Sequence, residues 1–416
     1  MIYKNRENTT GLLLVLLCVL RYTIPNELFF VISVLSLAYL ALTSGALLGL
    51  KVKLIAKNSY ISVLFLMLCM GIFVGFLHLG SYGLTPWIRD IFYLLQPIVF
   101  LLVGACYSYK YSSTDIWKTI IIAALIMNLS YTYDIVTNLG AIASAGVNQF
   151  REIVGKEYVI STIGLCALLT SHESIQGKVK KIILIGLFTL IFFVQFSRAC
   201  LGMAGVFFVV YWIAAKKQIT TKSIVIALSA VVLLFVILQI LPEALVSNYI
   251  EKILNSGTEI STSHGFNSYQ DISRNYRGFE TMRAMTTYSE GNVFDWIFGF
   301  GFGKYVELNY AIALDGEVMT RIPTFHNGYV YLIIKMGVLG ILLYFLFFYL
   351  NYKNYRLKFL RSRDYAYAIM IGMIAGIMFF AYFKGGMIRR DGVFEIPMLI
   401  GFFSNYIEKE YSKYEE

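Results

Sequence analysis

The chain has 416 residues, of which 58% are hydrophobic and only 14% are charged, and its formal net charge is +10. Soluble domains carry about 25% charged residues, so this composition excludes a soluble globular protein. Apolar runs of about 20 residues recur along the sequence, and each is long enough to cross a hydrocarbon core of about 30 Å. The sequence therefore predicts an all-α polytopic membrane protein, and nothing in it indicates nucleic-acid binding.

Twelve apolar segments predict about twelve transmembrane helices. Nine of them precede a long polar segment and three follow it, which divides the chain into three parts. Residues 1–242 hold helices 1 to 9, residues 243–325 form one large loop with short helices, and residues 326–416 hold helices 10 to 12 and the C-terminus. The predicted spans are 9–24, 28–49, 58–79, 90–109, 115–137, 157–171, 182–197, 199–215, 223–242, 326–351, 365–383 and 392–407.

The basic residues in the connections predict the orientation of the chain. Loops rich in lysine and arginine stay in the cytoplasm, and the connections richest in lysine all fall on one side when twelve spans are counted. Both termini are then cytoplasmic, and the loop 243–325 is on the outer, periplasmic side. The residues used for this prediction are Lys51, Lys53, Lys57, Lys178, Lys180, Lys181, Lys216, Lys217, Lys222, Lys353, Arg356, Lys358, Arg361 and Arg363.

Arginine is concentrated on the predicted outer side, which has ten arginines and four lysines. Membrane insertion needs only positive charge, whereas a planar guanidinium group can bind a phosphate or a carboxylate through two parallel hydrogen bonds. The outer face is therefore predicted to hold an anion. Five of these outer arginines are candidate site residues: Arg89, Arg198, Arg274, Arg277 and Arg283.

Ser197 and Arg198 interrupt an apolar run from Ile182 to Ala215 that is too long for one span. The chain is therefore expected to turn back at this point on the outer face. Two interpretations of Arg198 stay open. It either marks the turn by extending its charged end to water, or it binds phosphate at a helix start, where backbone N–H groups also favour an anion.

The polar loop carries Arg274, Arg277, Glu280 and Arg283 at steps of three residues. On a helix this spacing makes Arg277 and Glu280 neighbours and points Arg274 and Arg283 in nearly opposite directions. Two interpretations follow for Glu280. It either forms a surface ion pair with Arg277 or orients Arg277 toward a ligand.

The segment 298–303 alternates phenylalanine with glycine and follows Trp296. It lacks the preceding strand and the acidic partner that accompany a nucleotide-binding glycine loop. Glycine allows close backbone approach, and aromatic side chains concentrate at membrane surfaces. The segment is therefore predicted to lie against the membrane surface or to stack on sugar.

His326 is the strongest candidate for chemistry in the sequence. Pro323 and Thr324 signal a helix start, which predicts that His326 lies in the first turn of the next span. The positive end of a helix disfavours an imidazolium, so we expect a neutral ring that can accept a proton. The other interpretation is an interfacial histidine that caps the span.

Lys335 lies deeper in the same predicted span. A charge inside a membrane segment is usually paired or functional. Asp90, which follows Arg89 at the outer end of another predicted span, is one candidate partner for Lys335.

In chain order, these features resemble the bacterial O-antigen polymerase and O-antigen ligase superfamily. The resemblance covers about residues 182–345, and the first half of the chain matches only in general character. The matching features are the Ser197-Arg198 turn, the outer loop with Arg277-x-x-Glu280, the alternation at 298–303, and His326-Asn327-x-Tyr329 followed by Gly337-x-x-Gly340.

The resemblance implies a GT-C-type glycosyltransferase in the bacterial inner membrane, with its active site facing the periplasm. The donor would be an oligosaccharide on undecaprenyl pyrophosphate, and the acceptor a sugar hydroxyl. Arg198 and Arg277 would hold the pyrophosphate, and His326 would assist the acceptor hydroxyl or complete phosphate binding. Neither a cofactor nor a metal is implied, and a chain-length regulator protein is a partner that the resemblance allows beside membrane lipids. The predicted substrate-binding residues are Arg274, Glu280, Arg283, Asn327, Tyr329 and Arg89.

Three other functions stay open. A ligase that moves the finished glycan to lipid A-core would use the same arginines and histidine, and we favour a polymerase because the chain is rich in tyrosine and phenylalanine and has a divergent first half. A peptidoglycan polymerase shares the general plan, but its acidic outer-loop motif is not evident. A transporter or flippase of lipid-linked sugar would scatter ionisable residues through its spans or show repeated halves.

Overall fold

The structure is a computed structural model that describes most of the chain. The residues outside the described part are 1, 44–58, 143–146, 156–157, 172–174, 176, 216–242, 256, 258, 260–265, 267, 315–316, 390–391 and 416.

The described part is built almost entirely of helices. Those that precede the polar loop are α1 (Ile2–Thr23), α2 (Asn26–Thr43), α3 (Ser59–Leu77), α4 (Leu79–Tyr82), α5 (Leu84–Tyr107), α6 (Ser113–Thr137), α7 (Leu139–Ile142), α8 (Val147–Val154), α9 (Val159–Thr170), α10 (Lys178–Val194) and α11 (Arg198–Ala215). The later elements are α12 (Glu243–Leu254), α13 (Tyr269–Arg274), α14 (Tyr276–Ser289), α15 (Val293–Phe298), β1 (Val306–Leu314), β2 (Glu317–Ile322), α16 (Gly328–Ser362), α17 (Tyr365–Lys384) and α18 (Glu395–Glu415).

Seven helices of the described part are long and apolar enough to cross a membrane, namely α2, α3, α5, α6, α11, α16 and α17. Two shorter apolar helices, Gly11–Thr23 within α1 and Val159–Thr170, accompany them. This confirms an all-α polytopic membrane protein. The count of twelve spans stays a prediction, and the ninth predicted span, 223–242, lies outside the described residues.

Helix α16 is longer than the sequence analysis predicted. It continues to Ser362 rather than ending at residue 351, so the basic residues between 353 and 361 lie on its last turns and not in a connecting loop. A break at Gly337 divides the helix, and the 25 residues after it, 338–362, correspond to about 37 Å at helical rise, which exceeds a hydrocarbon core of about 30 Å. This part of α16 is therefore longer than a membrane span requires.

Close packing of α11 against α17 fixes the start of α11 in space. A Cβ atom at Gly202 would overlap the ring of Phe379, and one at Gly372 would lie too close to Phe207. Helices in lipid gain little from burying apolar side chains, so such close contacts at small residues are a main source of their association. This packing positions Arg198, the first residue of α11.

The polar loop contains an antiparallel hairpin that the sequence analysis did not predict. Strands β1 and β2 pair in register from Val306 opposite Ile322 to Leu314 opposite Glu317, with an irregularity between Glu307 and Ile312. At the start of β1, Val306 and Leu308 are buried whereas Glu307 and Asn309 are exposed, the two-residue alternation of a half-buried strand. The hairpin ends four residues before His326 and returns the chain to the helical bundle.

The segment 299–303 is inserted between α3 and α16 at a break in α16. Gly337 has φ +61° inside α16, and just before it the carbonyl oxygens of Ile334 and Lys335 accept hydrogen bonds from Phe300 N (2.9 Å) and Gly301 N (3.1 Å). A Cβ atom at Gly301 would overlap the backbone of Gly75.

This insertion corrects the prediction that the whole segment lies against the membrane surface or sugar. Phe302 is fully buried within the protein, whereas Phe298 and Phe300 are partly exposed and the preceding Trp296 is 43% exposed. The glycines are required because backbone meets backbone at this point.

Candidate active site

Arg198 and Arg277 converge on one carboxylate, that of Glu259. Arg198 Nη2 lies 2.6 Å from Glu259 Oε2, and Arg277 Nε lies 3.7 Å from Oε1. All three side chains are about one quarter exposed. Carboxylates and phosphates present similar oxygens to guanidinium groups, so a site that holds this carboxylate has the chemistry to hold a phosphate.

The local structure explains why Arg198 occupies this position. Helix α10 ends at Val194 and α11 begins at Arg198, which confirms the predicted turn. Phe196 takes φ +50° in the connection, and its carbonyl oxygen accepts a hydrogen bond of 2.7 Å from Arg151 Nη2. Ser197 Oγ accepts a hydrogen bond of 3.3 Å from Cys200 N and so satisfies one of the first N–H groups of α11.

Tyr249 of α12 interacts electrostatically with Arg151 and Arg198. Burial raises the pKa of Tyr249 to about 12, although Arg151 and Arg198 both act to lower it. The phenol therefore stays protonated at neutral pH, beside a cationic surface.

His326 is held by Glu280 through two contacts. Glu280 Oε1 accepts a hydrogen bond of 2.8 Å from the backbone N of His326, and Oε2 lies 2.7 Å from Nδ1 of its ring. An ionised carboxylate can only accept, so the proton of the second contact belongs to Nδ1. The side chain of Glu280 is 3% exposed and that of His326 is 34% exposed. This pairing orients the ring and leaves Nε2 able to accept a proton from a ligand.

Tyr276 packs against His326 from the first turn of α14. The two rings meet edge to face with centroids 5.9 Å apart. Burial and the Glu280 carboxylate raise the pKa of Tyr276 well above its ordinary value, and Arg389 acts in the opposite direction. A protonated phenol therefore lies against the ring of His326.

Helix α14 connects the arginine pair with the histidine, because it carries both Arg277 and Glu280. The described ion pairs differ from the predicted one, since the Glu280 oxygens contact His326 and Arg277 pairs with Glu259. An orienting role of Glu280 toward a ligand of Arg277 stays a prediction. The single helix assumed for the three arginines is wrong. Arg274 ends α13, and Asn275 separates it from α14.

His326 does not lie in the first turn of α16, as predicted, but one residue before its N-cap. The N-cap is Asn327, whose Oδ1 accepts hydrogen bonds from Tyr329 N (2.9 Å) and Val330 N (3.4 Å). Tyr329 donates its hydroxyl proton to the carbonyl oxygen of Met378 (2.8 Å). Asn327 and Tyr329 therefore fix the helix that follows His326, and a substrate contact for either one stays a prediction.

Two of the predicted binding arginines take no part in the described contacts with Glu259. Arg274 is exposed on α13. Arg283 Nε donates a 3.0 Å hydrogen bond to the carbonyl oxygen of Glu307, so it ties α14 to the hairpin. Their predicted contacts with substrate stay untested.

The suggested partner of Lys335 is confirmed. Lys335 Nζ lies 2.7 Å from Asp90 Oδ2, and both side chains are completely buried. Asp90 Oδ2 also accepts a hydrogen bond of 2.8 Å from Gly303 N, and Lys335 donates to the carbonyl oxygen of Lys304. Arg89 Nε lies 3.6 Å from Asp90 Oδ1. This network joins α5, the segment 299–303 and α16 beneath the hairpin.

The sequence analysis missed Glu259, although this residue joins the two arginines. The sequence pointed to Glu259 only through the presence of an acidic residue in a loop that is predicted to bind anions. Glu259 is 61 residues from Arg198 and 18 residues from Arg277, and no local spacing rule connects positions so far apart.

Residues 183–345 match the family described as O-antigen ligase. The match begins in α10 and ends in α16, and it includes Arg198, Arg277, Glu280 and His326. No curated protein matches the chain. Residues 183–345 of this membrane protein are therefore similar to the O-antigen ligase family, which supports the resemblance to the O-antigen polymerase and ligase superfamily.

Proposed function

We propose that the chain is an O-antigen polymerase, which transfers a growing glycan from undecaprenyl pyrophosphate to a sugar hydroxyl of another lipid-linked repeat unit. The observation that carries the proposal is the convergence of Arg198 and Arg277 on the Glu259 carboxylate, connected through α14 to a histidine that Glu280 orients. This arrangement offers an anion position and a proton acceptor on one structural unit.

In the proposed donor complex, the pyrophosphate takes the place of the Glu259 carboxylate between the two arginines. The partial exposure of this carboxylate leaves it free to move into water when a ligand competes for the guanidinium groups. Hydrogen bonds between charged partners are roughly twice as strong as neutral ones. A pyrophosphate carries more charge than a carboxylate, so it would compete well for this position.

In the proposed reaction, His326 Nε2 accepts the proton of the acceptor hydroxyl. The hydroxyl oxygen then forms a bond to the anomeric carbon of the donor, and the bond from that carbon to the phosphate oxygen breaks. The leaving undecaprenyl pyrophosphate takes the electron pair, and Arg198 and Arg277 stabilise its charge. Glu280 stabilises the imidazolium that forms, as carboxylates do beside catalytic histidines. No cofactor or metal enters this scheme.

The proposed location is the bacterial inner membrane, with a GT-C-like helical arrangement and the loop 243–325 in the periplasm. The distribution of lysine supports this orientation, as does the extension of α16, whose last turns carry Lys353, Arg356, Lys358 and Arg361. Membrane lipids are predicted to surround the helices of the protein. A chain-length regulator protein would be a further partner.

A ligase that transfers the glycan to lipid A-core is the second candidate, favoured by the description of the matching family. Polymerase and ligase would share the donor and the leaving group. They differ in the acceptor, so a test must vary the acceptor.

The test is an assay of purified protein in detergent, with the synthetic undecaprenyl pyrophosphate-linked repeat unit of the source strain as the only substrate. A ladder of lengthened lipid-linked glycan is expected from the wild type and not from Arg277→Ala or His326→Ala. Arg356→Ala, which removes an exposed arginine from a distant turn of α16, is the matched control and should keep the ladder.

Transfer that appears only after lipid A-core is added would identify a ligase. Absence of product under both conditions, from folded protein with a verified donor, would contradict a glycosyltransferase and favour a transporter.

A further inference from the structure

A second group of cations lies at the base of the hairpin, away from the arginine pair. The guanidinium groups of Arg89 and Arg321 both lie over the ring of Tyr305, at 5.5 Å and 4.7 Å from its centroid. The adjacent Lys304 places its ammonium group 4.7 Å from the centroid of Phe300. We call Arg89, Lys304, Tyr305 and Arg321 the hairpin-base cluster.

The charge of this cluster is only partly balanced by the protein. The carboxylate nearest to Arg89 is that of Asp90, but its Oδ2 is already engaged by Lys335 and by Gly303 N. The other acidic neighbour is Glu307, whose Cα pairs with that of Arg321 across the hairpin and whose side chain is exposed. Among the residues that the structure describes, the carboxylates beside these three cations are therefore the exposed Glu307 and Asp90, which Arg89 shares with Lys335.

Arg89 supplies a second, independent observation. Its Nε and Nη2 atoms are buried, and neither has a hydrogen-bond partner among the described residues. Leaving a charged donor without a partner after its removal from water is unfavourable. Arg89 makes one side-chain hydrogen bond to Tyr305. Contact with an aromatic ring uses no hydrogen-bond donor, so Nε and Nη2 keep their capacity to bind an anion.

The place of the cluster relates it to the proposed reaction. Arg321 precedes His326 by five residues, a separation of at most about 17 Å for an extended chain. Arg89 lies near the start of α5, at the end of that helix where the polar loop packs. A molecule whose anionic end binds the cluster could therefore bring a group several sugar units away to His326.

We propose that the hairpin-base cluster binds the pyrophosphate of the acceptor, the second lipid-linked repeat unit. This inference rests on the proposed polymerase function, in which both substrates carry a pyrophosphate at the membrane and the acceptor hydroxyl lies at the far end of its oligosaccharide. Arg198 and Arg277 then bind the pyrophosphate of the donor. The cluster binds the pyrophosphate of the acceptor and so sets the distance between the lipid end of the acceptor and His326.

The experiment separates donor from acceptor in the purified enzyme. The donor is a lipid-linked repeat unit whose accepting hydroxyl is methylated, so that it cannot itself be extended. Two acceptors with the same short prenyl chain and the same oligosaccharide are compared, one joined through pyrophosphate and one through a neutral ether. Initial rates give kcat/KM for each acceptor in neutral lipid, and again after phosphatidylglycerol is added.

The wild type should prefer the pyrophosphate acceptor by about tenfold or more, because the charged contacts act on that acceptor alone. Lys304→Gln/Arg321→Gln should remove this preference by lowering kcat/KM for the pyrophosphate acceptor to the value for the neutral one. Lys353→Gln, which removes an exposed lysine 25 residues after the start of α16 and beyond the break at Gly337, should keep the wild-type preference.

Equal use of the two acceptors by the wild type, or a preference that survives in the double variant, would overturn the inference while leaving the polymerase proposal intact. A double variant that loses only a stimulation by phosphatidylglycerol would also overturn it, because the cluster would then be a site for lipid headgroups. If neither acceptor is extended by the folded wild type, the polymerase proposal fails and this inference fails with it.

Discussion

The ring of His326 is fixed by Glu280, whose Oε2 lies 2.7 Å from Nδ1 while Oε1 accepts from the backbone N of the same histidine. Because one carboxylate holds both the backbone and the ring, the direction of Nε2 is set before any substrate binds. The residue that does this lies on α14, beside the arginine that pairs with Glu259. Proton transfer and leaving-group stabilisation are thus coupled through one helix in the proposed enzyme.

Glu280→Gln tests this positioning role. Glutamine keeps an oxygen acceptor but loses the negative charge that stabilises an imidazolium, so we expect kcat to fall by about 10- to 100-fold, less than the roughly 100- to 10,000-fold expected for His326→Ala. Initial rates of the purified variants measure this effect.

Glu290→Gln is the matched control, since Glu290 is exposed at the end of the same helix. A lower rate in Glu280→Gln that is fully explained by a smaller fraction of folded protein would indicate that Glu280 only stabilises the fold.

Glu259→Gln tests whether this carboxylate competes with the donor. The ion pairs of Glu259 are partly exposed, and such pairs contribute about 0.2–1 kcal/mol. Their loss should lower KM for the pyrophosphate donor by about two- to fivefold, because the donor no longer displaces a charged group. Steady-state kinetics at saturating acceptor measure this change.

Glu251→Gln, at an exposed position of α12, controls for the change in net charge. A higher donor KM in Glu259→Gln would contradict competition and would mean that Glu259 holds the arginines in their binding positions.

Lys335→Met should destabilise the protein strongly, because it removes the nearer of the two cations beside the fully buried Asp90 carboxylate and leaves Arg89 at 3.6 Å. Breaking a buried ion pair costs about 3–5 kcal/mol. Thermal unfolding in detergent should show a much lower unfolding temperature for Lys335→Met. The double variant Asp90→Asn/Lys335→Met should recover part of this unfolding temperature, because it removes the charge of Asp90 and keeps an oxygen acceptor for Gly303 N. Lys353→Met at an exposed site should be close to neutral. Equal unfolding temperatures for the wild type and Lys335→Met would refute this assignment.

Gly301→Ala should also destabilise, for a backbone reason. Gly301 has φ +81°, and a Cβ atom there would overlap the backbone of Gly75, so α3 and the segment 299–303 must separate. A loss of about 2 kcal/mol or more in the free energy of unfolding is expected. Gly186→Ala, where a Cβ atom would meet nothing within 4 Å, is the control and should be neutral or slightly stabilising. A Gly301→Ala variant as stable as this control would show that the close approach is not required.

The sequence alone determined the features that depend on local composition and spacing. Apolar runs predicted membrane helices because the thickness of a bilayer sets their length. The interruption at Ser197 and Arg198 predicted a turn because one helix could not contain so long a run. The candidate partner suggested for Lys335 was also correct, because a charge in an apolar segment needs an opposite charge and few were available.

Only the tertiary structure decided which charged groups meet. Local spacing paired Arg277 with Glu280, yet the fold pairs Arg277 with Glu259 and Glu280 with His326, across 18 and 46 residues of sequence. The sequence likewise did not predict the break at Gly337 or the burial of the segment 299–303, because the hydrogen bonds at these places join distant parts of the chain. Local spacing limits which neighbours a residue has on its own helix. The packing of helices and loops decides which side chains share a buried space, and this packing depends on the whole chain at once.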